Sequence, residues 1–397
     1  MRTAVIGGGA AGFFLAVNLK EMVPSMEVTI LERSQRVLAK VEVSGGGRCN
    51  CTNTFEHVSD LSQVYPRGHR LLKRLFNVFD YRDAYEWFER HGVRLTTQAD
   101  GCVFPASQDA HSVINCFLSE ARRHLINIVK GVRVESLNEL MTQYDFVAVC
   151  TGGSPREDGL WWLSEAGHET VSPVPSLFTL AVADQPLCDL MGTVAEQAQT
   201  GIAGTRLRSE GPLLVTHWGV SGPAVLKLSS HGARYLAERD YKVTLTVNWT
   251  GRHQQEVAHE LQTIAATQPQ KQLRTVHPAG VPSRLWDYLL AKALGQRASS
   301  RWQSLNQKEL NRLSSVLTAD SLQTSGRAPF RDEYVTCGGV ALSGVDPSTM
   351  ESRHVAGLYF AGEVLDVDGI TGGFNFQAAW TTAYVAAKAI SEKVKNN

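Results

Sequence analysis

Four residues near the amino terminus have the types and spacing to act together. Gly7, Gly9 and Gly12 form a Gly-x-Gly-x-x-Gly run, and Glu32 follows twenty residues after the last glycine. In that pattern the first glycine permits a tight turn and the second lets a pyrophosphate approach the backbone. The third allows a helix to pack closely on a strand. Ala10 and Ala11 then open a helix whose free N–H groups and positive dipole end attract phosphate. Glu32, with Arg33 beside it, sits where a carboxylate accepts from both ribose hydroxyls. An acid there disfavours a 2′-phosphate, so the expected dinucleotide is FAD or NAD.

The elements that must hold these residues are legible around them. Residues 3–6 read as a buried parallel strand and residues 13–19 as a helix that Pro24 helps to end. Residues 28–31 read as a second strand closing at Glu32. Arg2 followed by an apolar stretch to Leu19 imitates a signal peptide, but Gly7, Gly8 and Gly9 interrupt it, so the segment reads as structure. The whole chain has 397 residues, with 39 Lys+Arg against 39 Asp+Glu, so no net positive field is available to hold a phosphate backbone. The balance argues against a nucleic-acid partner and for a small-molecule substrate. No apolar run reaches the length of a membrane span, which argues against a membrane partner. Seven scattered cysteines fit a reducing cytoplasm.

The rest of the chain chooses between FAD and NAD. Lys40 and the loop Ser44-Gly45-Gly46-Gly47-Arg48-Cys49-Asn50 follow Glu32 after a short interval, like a second wrap around a long dinucleotide. Residues 144–150 read as another buried strand running into Thr151-Gly152-Gly153. This ending resembles that of two-dinucleotide-type flavoproteins, in which the chain passes the adenine half; Val132 is placed with it. The turn 357–363, with Gly362 and Glu363, and then Asp366 and Gly372-Gly373-Phe374-Asn375 lead into a helix expected over 376–390. The resemblance implies that the acid-bearing turn lies near the ribityl and pyrophosphate segment. It also implies that a helix N-terminus aimed at the flavin would stabilise the charge of the reduced ring, with the glycines avoiding collision with that ring.

Further stretches extend the likeness: Thr216-His217-Trp218-Gly219-Val220-Ser221-Gly222-Pro223-Ala224, Val335-Thr336-Cys337-Gly338-Gly339-Val340, and residues 349–377. Together they resemble the YhiN/BaiN-type bacterial NAD(P)/FAD-dependent oxidoreductases, which include aminoacetone-oxidase-like flavoproteins. The family implies an α/β fold with a Rossmann-like FAD-binding domain interrupted by an insert carrying a β-barrel and a helical subdomain. On this sequence the FAD domain would take residues 1–185 and 335–397, and the insert 186–334. Within it the barrel would take about 186–250 and 323–334, and the helices about 251–322. The implied cofactor is non-covalent FAD, with NAD(P)H as a transient electron donor. The implied activity is oxidoreduction of a small organic substrate through the flavin N5. Two alternatives are an oxidase of an amine or amino ketone and an RNA-acting flavoprotein whose groove would use Arg67, Arg70, Lys73 and Arg74.

No second Gly-x-Gly-x-x-Gly follows a strand after Glu32, so a nicotinamide dinucleotide has no Rossmann domain of its own. Cys49 and Cys51 are one residue short of a Cys-x-x-Cys redox motif, and His253 and His259 lie six apart, so no metal site is expected. His217 and Trp218 are expected to hold the barrel together. No side chain stands out as a catalytic base.

Overall fold

The computed structural model describes every residue except 155–156, 329–334 and 397. Two compact units emerge: Met1–Val174 with Val335–Asn397, and Pro175–Tyr334. The division falls about ten residues before the expected 185/186 boundary, because Leu180–Val182 already belongs to the barrel.

The first unit is built on a five-stranded parallel sheet. Its strands are β1 (Arg2–Ile6), β2 (Glu27–Glu32), β3 (Asn127–Lys130), β4 (Phe146–Val149) and β5 (Leu358–Phe360), in the order β5-β4-β1-β2-β3. Val5 is opposite Ile30 on one side and Ala148 on the other. Both faces of the sheet are covered, so β1 from Thr3 onward, β4 and β5 are buried throughout rather than at alternate positions. Two helices matter most: α1 (Ala10–Met22) and α2 (Phe374–Asn396), which pack on each other. Phe14 of α1 lies 4.6 Å from Trp87 and 5.1 Å from Trp380 of α2, ring centre to ring centre. α2 begins two residues before the expected start and continues past 390. Chain order reverses between β1 and β4, and a ligand crevice forms outside the carboxyl ends of strands at such a point.

In the second unit a closed six-stranded barrel runs Val194–Ile202, Arg208–Thr216, Gly219–Ser221, Leu180–Val182, Asp320–Arg327 and Thr244–Asn248. The last part of the expected barrel range, 329–334, lies outside the described residues. Helices Gln254–Thr267, Ser283–Leu294 and Gln307–Ala319 bury Val257, Leu261, Leu285, Leu289, Leu313 and Leu317. His217 and Trp218 form the turn between two barrel strands, and Thr216 Oγ1 accepts from the N–H groups of Trp218 and Gly219. Among the described residues, no helix is long and apolar enough to cross a membrane.

Candidate dinucleotide site

The glycine turn between β1 and α1 has two kinds of glycine. A Cβ on Gly7, at φ +109°, would lie 2.4 Å from the Cys150 carbonyl oxygen, and one on Gly12 would lie 2.0 Å from the Gly7 oxygen. These two are fixed by the fold. Gly9 is different: a Cβ there would meet nothing within 4 Å, so this side of the backbone faces open space. Gly9 caps α1 without a side-chain hydrogen bond, and the first-turn amides, including those of Ala10 and Ala11, have no acceptor within the helix. The result is an electropositive helix end that is open at Gly9.

Glu32 at the end of β2 reaches back to this turn. Its Oε2 accepts from the Gly8 N–H at 2.8 Å and its Oε1 from the Ser34 N–H at 2.8 Å. Each oxygen keeps a second lone pair for a ribose hydroxyl. The Val132 N–H donates to the Glu32 carbonyl at 3.0 Å, which brings the end of β3 alongside, while Arg33 is exposed beside the acid.

On the other side of β1, Thr151 and Gly152 leave β4, with Gly152 at φ +74°. Glu363 joins three segments here. Its Oε2 accepts from Lys40 Nζ at 2.9 Å and its Oε1 from the Thr336 N–H at 2.8 Å, and a Cβ on Gly153 would lie 2.7 Å from Oε1. Lys40 is thus held at the crevice by an ion pair while its side chain stays 56% exposed, so its charge remains available to phosphate. Gly362, at φ +78°, donates its N–H to Thr382 Oγ1 at 2.9 Å, and a Cβ on it would lie 2.8 Å from the Ala11 Cβ. The carboxy-terminal turn therefore rests directly on the first turn of α1. Asp366 donates its N–H to the Val340 carbonyl at 3.0 Å.

The 44–53 segment supports the start of α2. Gly45, Gly46 and Gly47 all have positive φ, Ser44 Oγ donates to the Val41 carbonyl, and Arg48 stacks 4.3 Å over the Phe104 ring while donating to the Gly45 carbonyl. Cys49 turns its side chain into the core, where its sulfur lies 3.9 Å from that of Cys51. Burial pushes the Cys51 thiol well above its usual range, with the neighbouring Cys49 adding to it, so Cys51 is not a poised thiolate. The Asn50 amide donates to the Thr52 carbonyl at 2.9 Å and accepts from the Gly373 N–H at 3.2 Å. Thr52 Oγ1 donates to Gln377 Oε1 at 2.6 Å, and Asn53 Nδ2 donates to the Gly372 carbonyl at 3.0 Å.

These contacts give the second glycine pair a different reason from the expected one. A Cβ on Gly373 would lie 2.2 Å from the Thr52 carbonyl oxygen and one on Gly372 would lie 2.7 Å from the Phe374 ring. The protein's own backbone and side chains demand glycine there, before any ligand does. Phe374 is buried against Phe55 and Tyr65, and Asn375 holds its own loop by accepting from the Gly369 N–H at 2.8 Å and donating to its carbonyl at 2.9 Å. Both brace the helix entry. The sequence alone assigns no contact to Gly8, Thr336, Thr52, Asn53 or Gln377, although Thr336 and Gln377 stand inside the motifs quoted above; their partners lie 24 to 325 residues away in the chain. Arg67, which only the RNA-acting alternative would place in a basic groove, is ion-paired with the fully buried Asp368.

The residues present fit an adenine dinucleotide: an open backbone face at Gly9, first-turn amides of α1 without an acceptor in the helix, and an acid already oriented by Gly8. A parallel sheet with this turn at its switch point defines a Rossmann-type nucleotide-binding protein. The chain belongs to the family described as HI0933-like protein Rossmann domain, matched over residues 1–389. It is a flavin-dependent oxidoreductase of the FAD-binding class. A 3-dehydro-bile acid delta(4,6)-reductase of Clostridium scindens is 29% identical, with 99% of each chain covered. A ribosomal RNA dihydrouridine synthase of Escherichia coli is 28% identical over 97% of this chain and 96% of that one. Among solved structures, a 3-ketosteroid delta1-dehydrogenase from Sterolibacterium denitrificans matches with a TM-score of 0.50 at 11% identity, covering 98% of this chain and 99% of the other, a likeness of fold.

Proposed function

We propose that this enzyme adds hydrogen across a carbon–carbon double bond conjugated to a carbonyl, using NAD(P)H as reductant and non-covalent FAD as cofactor. One observation carries the reading. Two relatives that match end to end are named for different substrates, a bile acid and a ribosomal RNA, yet both names describe saturating such a bond. The net change is that one hydride and one proton enter the double bond while NAD(P)H becomes NAD(P)+. FAD, when bound, supplies a centre that accepts a hydride from one reactant and donates it to the next.

The chain's own residues do the holding. The α1 amides and the open face of Gly9 receive the pyrophosphate, and Glu32 orients the ribose through its remaining lone pairs. Lys40, restrained by Glu363, supplies positive charge near the phosphates. The nicotinamide dinucleotide, with no second glycine fingerprint to receive it, docks and leaves. A second reading of the substrate is favoured by the Escherichia coli relative together with Arg70, Lys73 and Arg74, exposed on helix His69–Leu75.

Rapid anaerobic mixing with NADH and NADPH tests the reading. Bleaching of the flavin band within seconds, then reoxidation by a 3-oxo-4-ene steroid or by uridine-containing ribosomal RNA, is expected. Failure of both nucleotides to bleach it, with peroxide formed from an amine instead, would replace the reductase by an oxidase.

A further inference from the structure

The opposite end of α1 carries a second cluster of reactive side chains. Glu21 lies in its last turn, about 18 Å from Gly9 along the axis at 1.5 Å per residue. There it meets His91, which caps helix Tyr81–Arg90, and Glu120 of helix His111–Arg123. One donor atom from each of the three falls within 4.8 Å of the others. His124 follows on the same helix face, four residues after Glu120, with its Nε2 3.4 Å from Glu120 Oε2.

We propose that Glu21, His91 and Glu120 bind a divalent cation of the zinc class, clamping three helices of the FAD unit, with the His124 imidazole beside Glu120 as the next group in reach. The His91 ring is nine-tenths buried, with 6% of its side chain exposed, and its Nδ1 sits 2.6 Å from the Trp87 carbonyl. That contact keeps a hydrogen on Nδ1, so loss of the Nε2 proton leaves the lone pair there for a metal, with the usual second contact of a metal-bound imidazole already in place. Nε2 points at Glu21 Oε1, 2.8 Å away, so a proton now holds together two groups that a cation would bridge. Ligand atoms bound at about 2.0–2.1 Å in a tetrahedron stand about 3.4 Å apart. The Glu120–His124 pair is already at 3.4 Å and the His91–Glu21 pair needs to open by roughly half an ångström to reach that spacing. The His124 Nε2 is shut off from solvent and makes no hydrogen bond of good geometry. An imidazole set between two carboxylates suits zinc rather than calcium or magnesium, whose sites are built from oxygen ligands. Arg123 reaches Glu120 at 3.4 Å from a largely exposed position, so a cation can displace it cheaply.

The test uses tag-free FAD-loaded protein, stripped with chelator and titrated with zinc against a chromophoric competitor. One zinc per chain at micromolar or tighter affinity, with a raised melting temperature, is expected. Binding should weaken by at least about tenfold in His91→Gln and in Glu21→Gln, with FAD content unchanged in both. Glu21 lies at the surface, so its variant folds even where the His91 change does not. No zinc bound by the wild type, or the same affinity in both variants, would overturn the site; the latter would point to the buried thiols.

Discussion

The N-termini of α1 and α2 are both marked by glycine, and they differ in what the glycine is for. At α1, Gly9 has empty space where a side chain would go. At α2, Gly373 has the Thr52 carbonyl oxygen 2.2 Å from that position and the Asn50 side-chain amide at 2.8 Å. The first leaves one face of the backbone open, and the second is a joint between distant parts of one chain. Similar sequence signals can thus report binding in one place and assembly in another, and only the surroundings of the Cβ direction separate them.

The largest effects should come from the joint-type glycines. Gly12→Val and Gly373→Val each drive a side chain into a backbone carbonyl that cannot move aside, at 2.0 and 2.2 Å. Each should cost at least about 3 kcal/mol. The check is soluble yield and near-ultraviolet dichroism of the FAD-free protein; a native Gly373→Val fold would break the comparison. Glu32→Gln should come next. Its amide nitrogen must face either the Gly8 or the Ser34 N–H, leaving a donor unpaired at about 1–2 kcal/mol, and urea unfolding of FAD-free protein reads that loss.

Acid should weaken the framework around β5 in a particular window. His168 packs 4.7 Å from the Phe360 ring, and burial, with His354 close by, lowers its pKa from 6.5 to about 4. Between those values the unfolded chain holds the proton and the folded chain does not. The stabilising contribution is therefore complete above pH 6.5 and is lost as pH falls towards 4. Melting temperature against pH should be flatter across that window in His168→Asn than in the wild type. The smallest effect is expected from Lys40→Met: its ion pair is 56% exposed on the lysine side, so stability should change by less than about 1 kcal/mol. FAD affinity should nevertheless fall measurably, which distinguishes a phosphate contact from a structural one.

What could be read from the sequence follows the range of the interactions involved. The Gly7–Glu32 run was legible because its spacing is set by one turn, one helix and one strand, all local. The Gly372-Gly373 pair was recognised as a helix entry, but its partners Asn50, Thr52 and Asn53 are more than 300 residues away and leave no periodic trace. The barrel edge at Leu180–Val182 escaped because a three-residue strand has no alternation to detect. The Glu21, His91 and Glu120 cluster was missed for the same reason: three helices bring it together, and no ligand spacing exists along the chain.

The account rests on a dinucleotide seated at the open glycine of α1, and one titration tests it directly. FAD is added to FAD-free wild-type protein and to Gly9→Ala, whose helix-cap change should cost less than about 1 kcal/mol of stability. One FAD per wild-type chain, with binding weaker by at least about tenfold in the folded variant, is the predicted result. Equal affinity in the two proteins, or no FAD bound by the wild type, would contradict it.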